Sequence, residues 1–121
     1  MLWIHPDRAR PLGIGDGDTV EVRGGVGAGS PRPYVGRIKA RVTPWIHPEA
    51  VFMLHGYGAT VPLATRALGR GVADQRLQDG KLYDFDPAGG GCALTEAVVQ
   101  IQPAGQAPAA QAPAVAEGGN L

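Results

Sequence analysis

Alternating apolar and polar positions predict several short β-strands in this chain. Residues 19–23 alternate so that Val20 and Val22 face inward. Further strands are predicted over residues 2–4, 34–42, 51–54 and 97–102. The 19 glycines and 11 prolines lie largely between these runs, so we interpret them as turns rather than as signs of disorder. The pattern is typical of a small, mainly β domain.

Turn and helix signals separate the predicted strands. Pro6 stands near the first position of one predicted helical turn, residues 6–10, and Gly13 follows it. The run Asp16-Gly17-Asp18 is typical of a turn, because glycine accepts positive φ and aspartate bonds to nearby backbone. A second short helix is predicted over residues 62–68, before Gly69.

The longest predicted strand, residues 34–42, has two different faces. The apolar face carries Ile38, Ala40 and Val42, and the other face carries Arg37, Lys39 and Arg41. A row of cations can bind an anion. Its more common role is a solvated face or an edge protected against pairing.

A sequence repeat indicates that the domain has two similar halves. Trp3-Ile4-His5-Pro6-Asp7 recurs as Trp45-Ile46-His47-Pro48-Glu49. The equivalent places of His5 and His47 favour a shared structural role in the core or at a cap. No His or Cys spacing provides the three or four ligands of a zinc site. The repeat predicts a small β-barrel that holds a ligand.

Composition narrows the classes of function. Lys and Arg total 11, as do Asp and Glu, so the chain has no general attraction to nucleic acid or acidic membranes. No apolar run is long enough to span a bilayer, and the N-terminus lacks the pattern of a secretion signal. The single Cys92 permits no internal disulfide. We expect one domain over residues 1–102 and a disordered Ala-, Pro- and Gln-rich tail over residues 103–121.

Two glycine-rich loops are candidate binding sites. His55-Gly56-Tyr57-Gly58 follows a predicted strand, and its glycines allow backbone N–H groups to approach a ligand closely. Imidazole and phenol add a hydrogen-bonding group and a stacking surface, which suits phosphate or a polar heterocycle. The alternative for this loop is a tight corner. The second loop, residues 84–91, places an Asp-Pro turn before three glycines, and its alternative is a long surface loop.

The order of these segments resembles the C-terminal molybdopterin-dinucleotide-binding domain of the dimethyl-sulfoxide-reductase family, over roughly residues 2–103. The segments that carry the resemblance are Trp3-Ile4-His5-Pro6, Ala9 with residues 12–22, Ala40-Arg41-Val42-Thr43-Pro44, residues 48–53, His55-Gly56-Tyr57-Gly58 and Asp86-Pro87-Ala88-Gly89-Gly90. The His-Gly-Tyr-Gly turn is most similar to the branch of thiosulfate, polysulfide and tetrathionate reductases.

The resemblance implies a mainly β fold, a double-psi β-barrel with short helices, that covers one pterin dinucleotide. The implied cofactor is molybdopterin guanine dinucleotide. The implied cofactor-binding residues are His55, Gly56, Tyr57, Gly58, Asp74, Gln75, Asp86, Thr95 and Glu96. No catalytic or metal-ligating residue is implied in this segment.

The implied function is to help bind and orient that cofactor inside a larger molybdopterin oxidoreductase, in which the cofactor performs the redox chemistry. The expected partners are the remaining domains of the large catalytic subunit, with no nucleic acid and no membrane contact by this domain. The isolated chain is expected to be inactive. The substrate, the choice of molybdenum or tungsten, the oligomeric state and the compartment, periplasm or cytoplasm of a bacterium, stay open.

The family pattern includes segments that this chain does not contain. Relatives carry a Thr-Gly-Arg-like loop upstream of the first Pro-Asp turn, and their molybdenum ligand and iron–sulfur cysteines lie in other domains. We therefore expect this chain to be a piece of a larger subunit.

Two alternative functions stay open. The first alternative is a non-catalytic interaction module. The second alternative is a self-processing pyruvoyl decarboxylase cleaved at Gly29-Ser30. It is less favoured, because Pro31 and the surrounding residues do not match that family.

Overall fold

The structure, a computed structural model, describes residues 1–24, 34–60, 67–78, 88–89 and 97–105. Several sequence predictions fall outside these ranges. They are the loop 25–33 with Gly29-Ser30, most of the helix predicted over 62–68, the greater part of the loop 84–91, Cys92, and residues 106–121.

The described elements follow the predicted order closely. Strands β1 (Leu2–Ile4), β2 (Thr19–Arg23), β3 (Val35–Val42), β4 (Val51–Met53) and β5 (Gln100–Pro103) are joined by one short helix, α1 (Pro6–Ala9). A 3₁₀ helix over Asp74–Arg76 was not predicted. Leu68, the last residue of the predicted second helix, instead forms a β-bridge with Ala59.

All five strands form one mixed sheet in the order β4-β1-β3-β2-β5. The long strand β3 holds the sheet together, since residues 40–42 pair in parallel with β1 and residues 35–39 pair antiparallel with β2. β4 and β5 add antiparallel partners at the two ends of this order. The domain is therefore mainly β and barrel-like, as predicted.

The Gly-Asp turn lies between α1 and β2 in the chain, and hydrogen bonds attach it to β3. Asp18 closes the turn by accepting from the Gly15 N–H at 2.8 Å. The Asp16 carboxylate accepts from the Val42 N–H at 2.8 Å, and Gly17 N–H donates to the Ala40 carbonyl at 2.9 Å. Asp18 thus hydrogen-bonds to nearby backbone, as predicted for this turn, and Asp16 bonds to backbone 26 residues away in β3.

The core lies on the inner face of the sheet. Its buried apolar residues are Leu2, Ile4, Ala9, Ile14, Val20, Val22, Ala40, Val72 and Leu77. The alternation predicted for β2 is confirmed, because Val20 and Val22 are buried whereas Thr19, Glu21 and Arg23 are more exposed. Val72 and Leu77 enter this core from the segment that carries the 3₁₀ helix, so that segment is held against the sheet.

Both copies of the sequence repeat form the same local cap. The His5 Nδ1 accepts from the Asp7 N–H at 3.2 Å, and the His47 Nδ1 accepts from the Glu49 N–H at 3.2 Å. His5 is the N-cap residue of α1. The prediction that the two histidines share a structural role is confirmed, and that role is capping.

Candidate functional site

The loop 55–58 leaves the end of β4 in a conformation that needs glycine. Gly56 and Gly58 have φ values of +85° and +77°. A Cβ built on Gly58 would lie 2.2 Å from the backbone nitrogen of Ala73, a distance that real atoms do not adopt. The Gly58 N–H donates to the Arg70 carbonyl at 2.7 Å. The loop is therefore fixed against the segment 70–73.

Asp74 joins this loop to the 3₁₀ helix. One carboxylate oxygen of Asp74 contacts the His55 Nδ1, and the other accepts from the Gly56 N–H at 3.4 Å. The Asp74 side chain is 22% exposed, whereas that of His55 is 68% exposed. Asp74 thus orients an imidazole that is largely exposed to solvent.

Two chain segments that the family resemblance assigns to the cofactor therefore meet in space. His55 to Gly58 lie beside Asp74, and Gln75 is the next, exposed, residue of the same 3₁₀ helix. Asp86, Thr95 and Glu96 lie outside the described residues, so their place at this site stays a prediction.

Tyr57 also forms part of the wall of a cavity of about 460 Å³. The cavity is lined by Met1, Thr19, Arg37, Ile38, Lys39, Leu54, Tyr57, Arg70 and Gly71. Gly71 lies beside both Tyr57 and Ile38 of β3, where a side chain would be crowded. A Cβ built on Gly71 would lie 3.1 Å from the Tyr57 Cβ and 4.0 Å from the Ile38 Cδ1.

The row of cations on β3 is divided between two environments. Arg37 and Lys39 line the cavity, whereas Arg41 is exposed farther along the same face. Arg37 donates to the Glu21 carboxylate from Nε at 3.0 Å and from Nη2 at 2.8 Å. These bonds, with a further one from Gln102, hold the pKa of Glu21 below its ordinary value.

Arg70 is a cation of the cavity wall that the sequence pattern did not reveal. It lies between Gly69 and Gly71, which have φ values of +64° and +72°. A cation between two glycines that adopt left-handed backbone was the available signal. Only the contact between this segment and the 55–58 loop places Arg70 at the cavity.

The described parts of the chain contain no group of three or more His, Cys, Asp or Glu side chains placed to hold a metal ion. None of their helices combines the length and the apolar character that crossing a bilayer requires.

Comparison with known proteins identifies the family. The family described as "Molydopterin dinucleotide binding domain" matches residues 1–114. The chain belongs to the molybdopterin dinucleotide binding domain family. The chain is also similar to the molybdopterin-containing subunit of thiosulfate reductase from Salmonella typhimurium, with 32% identity over 71 residues. That match covers 59% of this chain and 8% of the Salmonella subunit.

The chemistry of the site fits the ligand that gives this domain family its name. Among the described residues, no atom other than those of its chain neighbours lies within 4 Å of a Cβ built on Gly56, so this side of its backbone is open to a ligand. His55 and Tyr57 are both exposed beside it, and Tyr57 is 43% exposed. The Tyr57 ring offers a surface on which a heterocycle can stack. The His55 imidazole can hydrogen-bond, and the cations of the cavity that Tyr57 lines can pair with phosphates.

Proposed function

We propose that this domain binds and orients a molybdopterin guanine dinucleotide within a larger molybdopterin oxidoreductase subunit. The 55–58 loop and the 3₁₀ helix form the contact surface, with His55 and Tyr57 as side-chain contacts and Gly56 as a backbone contact. The cofactor supplies the redox chemistry. The domain contributes position and orientation.

The observation that carries this proposal is the contact between His55 and Asp74. It brings together two chain segments that are 19 residues apart, both of which the family resemblance assigns to the cofactor. Because Asp74 also accepts from the Gly56 N–H, the loop is organised before a ligand arrives. Preorganisation of this kind lowers the entropic cost of binding.

The other domains of the parent subunit are the proposed partners. The Salmonella relative is a molybdopterin-containing subunit of which the chain spans 8%. On the outer face of β4, Phe52 is 48% exposed and packs edge-on against Trp3 with ring centroids 5.6 Å apart. An aromatic pair on an exposed sheet face supports packing against another domain.

The proposal is tested by substituting His55→Ala and Tyr57→Ala together in the full-length subunit. We expect the purified protein to retain its fold and to lose most of its bound pterin nucleotide and molybdenum. The nucleotide is measured after release by chromatography, and the metal is measured by mass spectrometry. Full cofactor content in this double variant would contradict the proposal.

The matched control is His47→Ala. His47 is an exposed histidine that caps a turn and contacts neither the 55–58 loop nor Asp74. We expect this variant to keep its full cofactor content. Equal losses in the control and in the double variant would show that cofactor content follows stability rather than the site.

A further inference from the structure

A row of exposed side chains crosses three neighbouring strands on the outer face of the sheet. The pairing of β1 places Trp3 between Phe52 of β4 and Arg41 of β3. Leu2 and Ile4, on either side of Trp3 in β1, are buried in the core. Because successive side chains of a strand point to opposite faces, Trp3, Phe52 and Arg41 face away from the core. We call these three residues the outer patch.

The outer patch has the composition of a protein interface. Phe52 and Arg41 are exposed, and the Phe52 ring packs edge-on against Trp3. Leu54 follows Phe52 along the chain and is 58% exposed, so it extends the apolar surface. Aromatic residues and arginine are enriched at the centres of interfaces, where their truncation costs the most binding energy. The outer patch is therefore a candidate contact surface.

Arg41 determines the charge of a suitable partner. In the described parts of the chain, Arg41 forms no ion pair, whereas Arg37 on the same strand is paired with Glu21. The Asp16 carboxylate accepts from the backbone N–H of Val42 instead. Removing a guanidinium from water without an opposite charge is unfavourable. A partner that covers Arg41 is therefore expected to supply an Asp or Glu.

A second copy of this chain does not meet that requirement. In a two-fold dimer each outer patch would face the same patch of the other copy. The described strands carry one carboxylate on this face, Glu21, and it is already paired with Arg37. The rest of the parent subunit offers many more segments, since the chain spans 8% of the Salmonella relative.

The dimensions of the outer patch match an α-helix. Phe52 and Arg41 are separated by two strand spacings, about 10 Å, which is close to the diameter of a helix with its side chains. Phe52 and Leu54 are about 7 Å apart along the chain, close to the rise of about 6 Å over four helical residues. A helix aligned with β1 can therefore place apolar side chains on the aromatic pair and an acidic side chain on Arg41.

We propose that the outer patch docks an amphipathic helix of the parent subunit that lies outside this domain. Its apolar side chains cover Trp3 and Phe52, and an Asp or Glu at its edge pairs with Arg41. Paired hydrogen bonds between guanidinium and carboxylate fix the position of the helix along β3. The inference rests on the proposed function in that the domain belongs to a larger subunit, but it uses neither the 55–58 loop nor the 3₁₀ helix.

Photocross-linking in the purified full-length subunit tests the proposal. The subunit carries the photoreactive amino acid p-benzoylphenylalanine in place of Phe52, and the linked peptides are identified by mass spectrometry. We expect a link within the same polypeptide to a segment outside this domain that has apolar residues four positions apart and a neighbouring Asp or Glu. A link to a second copy, or no link to protein, would overturn the proposal.

The matched control carries the same photoreactive residue in place of Val35. Val35 is an exposed apolar residue on the same face, and it begins β3 about 20 Å along the strand from Arg41. We expect it to give no link to the helix found from position 52. Equal yields from both positions would show that the link follows exposure rather than docking.

Charge reversal tests the role of Arg41. We expect Arg41→Glu to lower the cross-link yield from position 52 at least about threefold, because like charges then meet at the contact. Arg8→Glu is the control, since Arg8 is an exposed cation on α1 outside the outer patch, and we expect an unchanged yield. If Arg41→Glu does not fold, as judged by thermal melting, Arg41→Gln replaces it. A folded Arg41 variant with unchanged yield would contradict the acidic partner.

A membrane surface is the competing occupant, because aromatic and cationic side chains also bind anionic lipid. The purified subunit is mixed with vesicles of phosphatidylglycerol and phosphatidylcholine and sedimented. We expect no binding that depends on Phe52 or Arg41. Binding that both Phe52→Ala and Arg41→Gln abolish would assign the outer patch to lipid and overturn the proposal.

These results are independent of the test of the proposed function, because a cross-link does not measure bound cofactor. A subunit that holds its full cofactor but gives no link from position 52 would contradict only the docking of the helix. A His55→Ala/Tyr57→Ala subunit that keeps both the link and its full cofactor would contradict only the cofactor site.

Discussion

At the scale of single residues, glycine is required where two backbone segments cross closely. A Cβ built on Gly36 would lie 2.7 Å from a methyl group of Val72, and one built on Gly24 would lie 2.2 Å from the Leu77 carbonyl oxygen. Gly58 shows the same close approach to Ala73. These three glycines allow the segment 72–77 to lie directly on the sheet and on the 55–58 loop.

Gly56 and Gly58 offer a matched test of this close packing. Gly56→Ala introduces a side chain at positive φ in open space, so we expect a loss of about 1–2 kcal/mol in the free energy of unfolding. Gly58→Ala carries the same backbone cost and also overpacks Ala73, so we expect about 2–5 kcal/mol. Denaturant unfolding of both variants measures the difference, and equal losses would show that Ala73 moves aside freely.

At the scale of elements, the pairing of β2 with β3 places Glu21 opposite Arg37. The pairing of β2 with β5 places Gln102 opposite Glu21 as well, and its side-chain amide donates to the second carboxylate oxygen at 3.0 Å. Cross-strand pairs of this kind help to specify which residues of neighbouring strands lie opposite each other. Three strands thus share one polar contact on the outer face.

This contact predicts a pH dependence of stability. The bonds from Arg37 and then from Gln102 lower the pKa of Glu21 in the folded chain, so the unfolded chain takes up the proton more readily. The stabilisation is therefore fully present above the ordinary glutamate pKa of about 4.3. It is lost as the pH falls through the lower pKa of the folded state.

Unfolding by denaturant at several pH values between about 3 and about 6 measures this effect. We expect Glu21→Gln to lose the part of the pH dependence that falls in the acidic window. Glu49→Gln is the control, since Glu49 is exposed and its carboxylate makes no described ion pair. The same pH profile in Glu21→Gln and in the unmodified chain would contradict this role for Glu21.

At the scale of the whole molecule, β3 is the strand on which the domain depends. It pairs with β1 on one side and with β2 on the other, whereas β4 lies at one end of the described strand order. We therefore expect the amides of β2 and β3 to exchange their hydrogens more slowly than those of β4, because they open only with the core. Native-state hydrogen exchange followed by NMR measures this order, and protection of β4 equal to that of β3 would contradict it.

Much of the fold was predictable because its signals are local. The bounds predicted for β1 and β2 are those of the structure, since an alternating run between turn residues leaves few other conformations. The shared role of His5 and His47 was also visible, because a cap involves residues only two positions apart. The 3₁₀ helix at Asp74 was missed, since three polar residues carry no periodic signal.

By itself, the sequence determined the strands, the turns, the caps and the resemblance that named the family, because each depends on neighbouring residues and their order. Only the tertiary structure decided that Asp74 meets His55, that Arg70 and Lys39 share a cavity, and that Arg41 on the same face does not. The physical reason is that these relations depend on which glycines permit close crossing of distant segments. Such contacts arise from packing in three dimensions, which no spacing along the chain records.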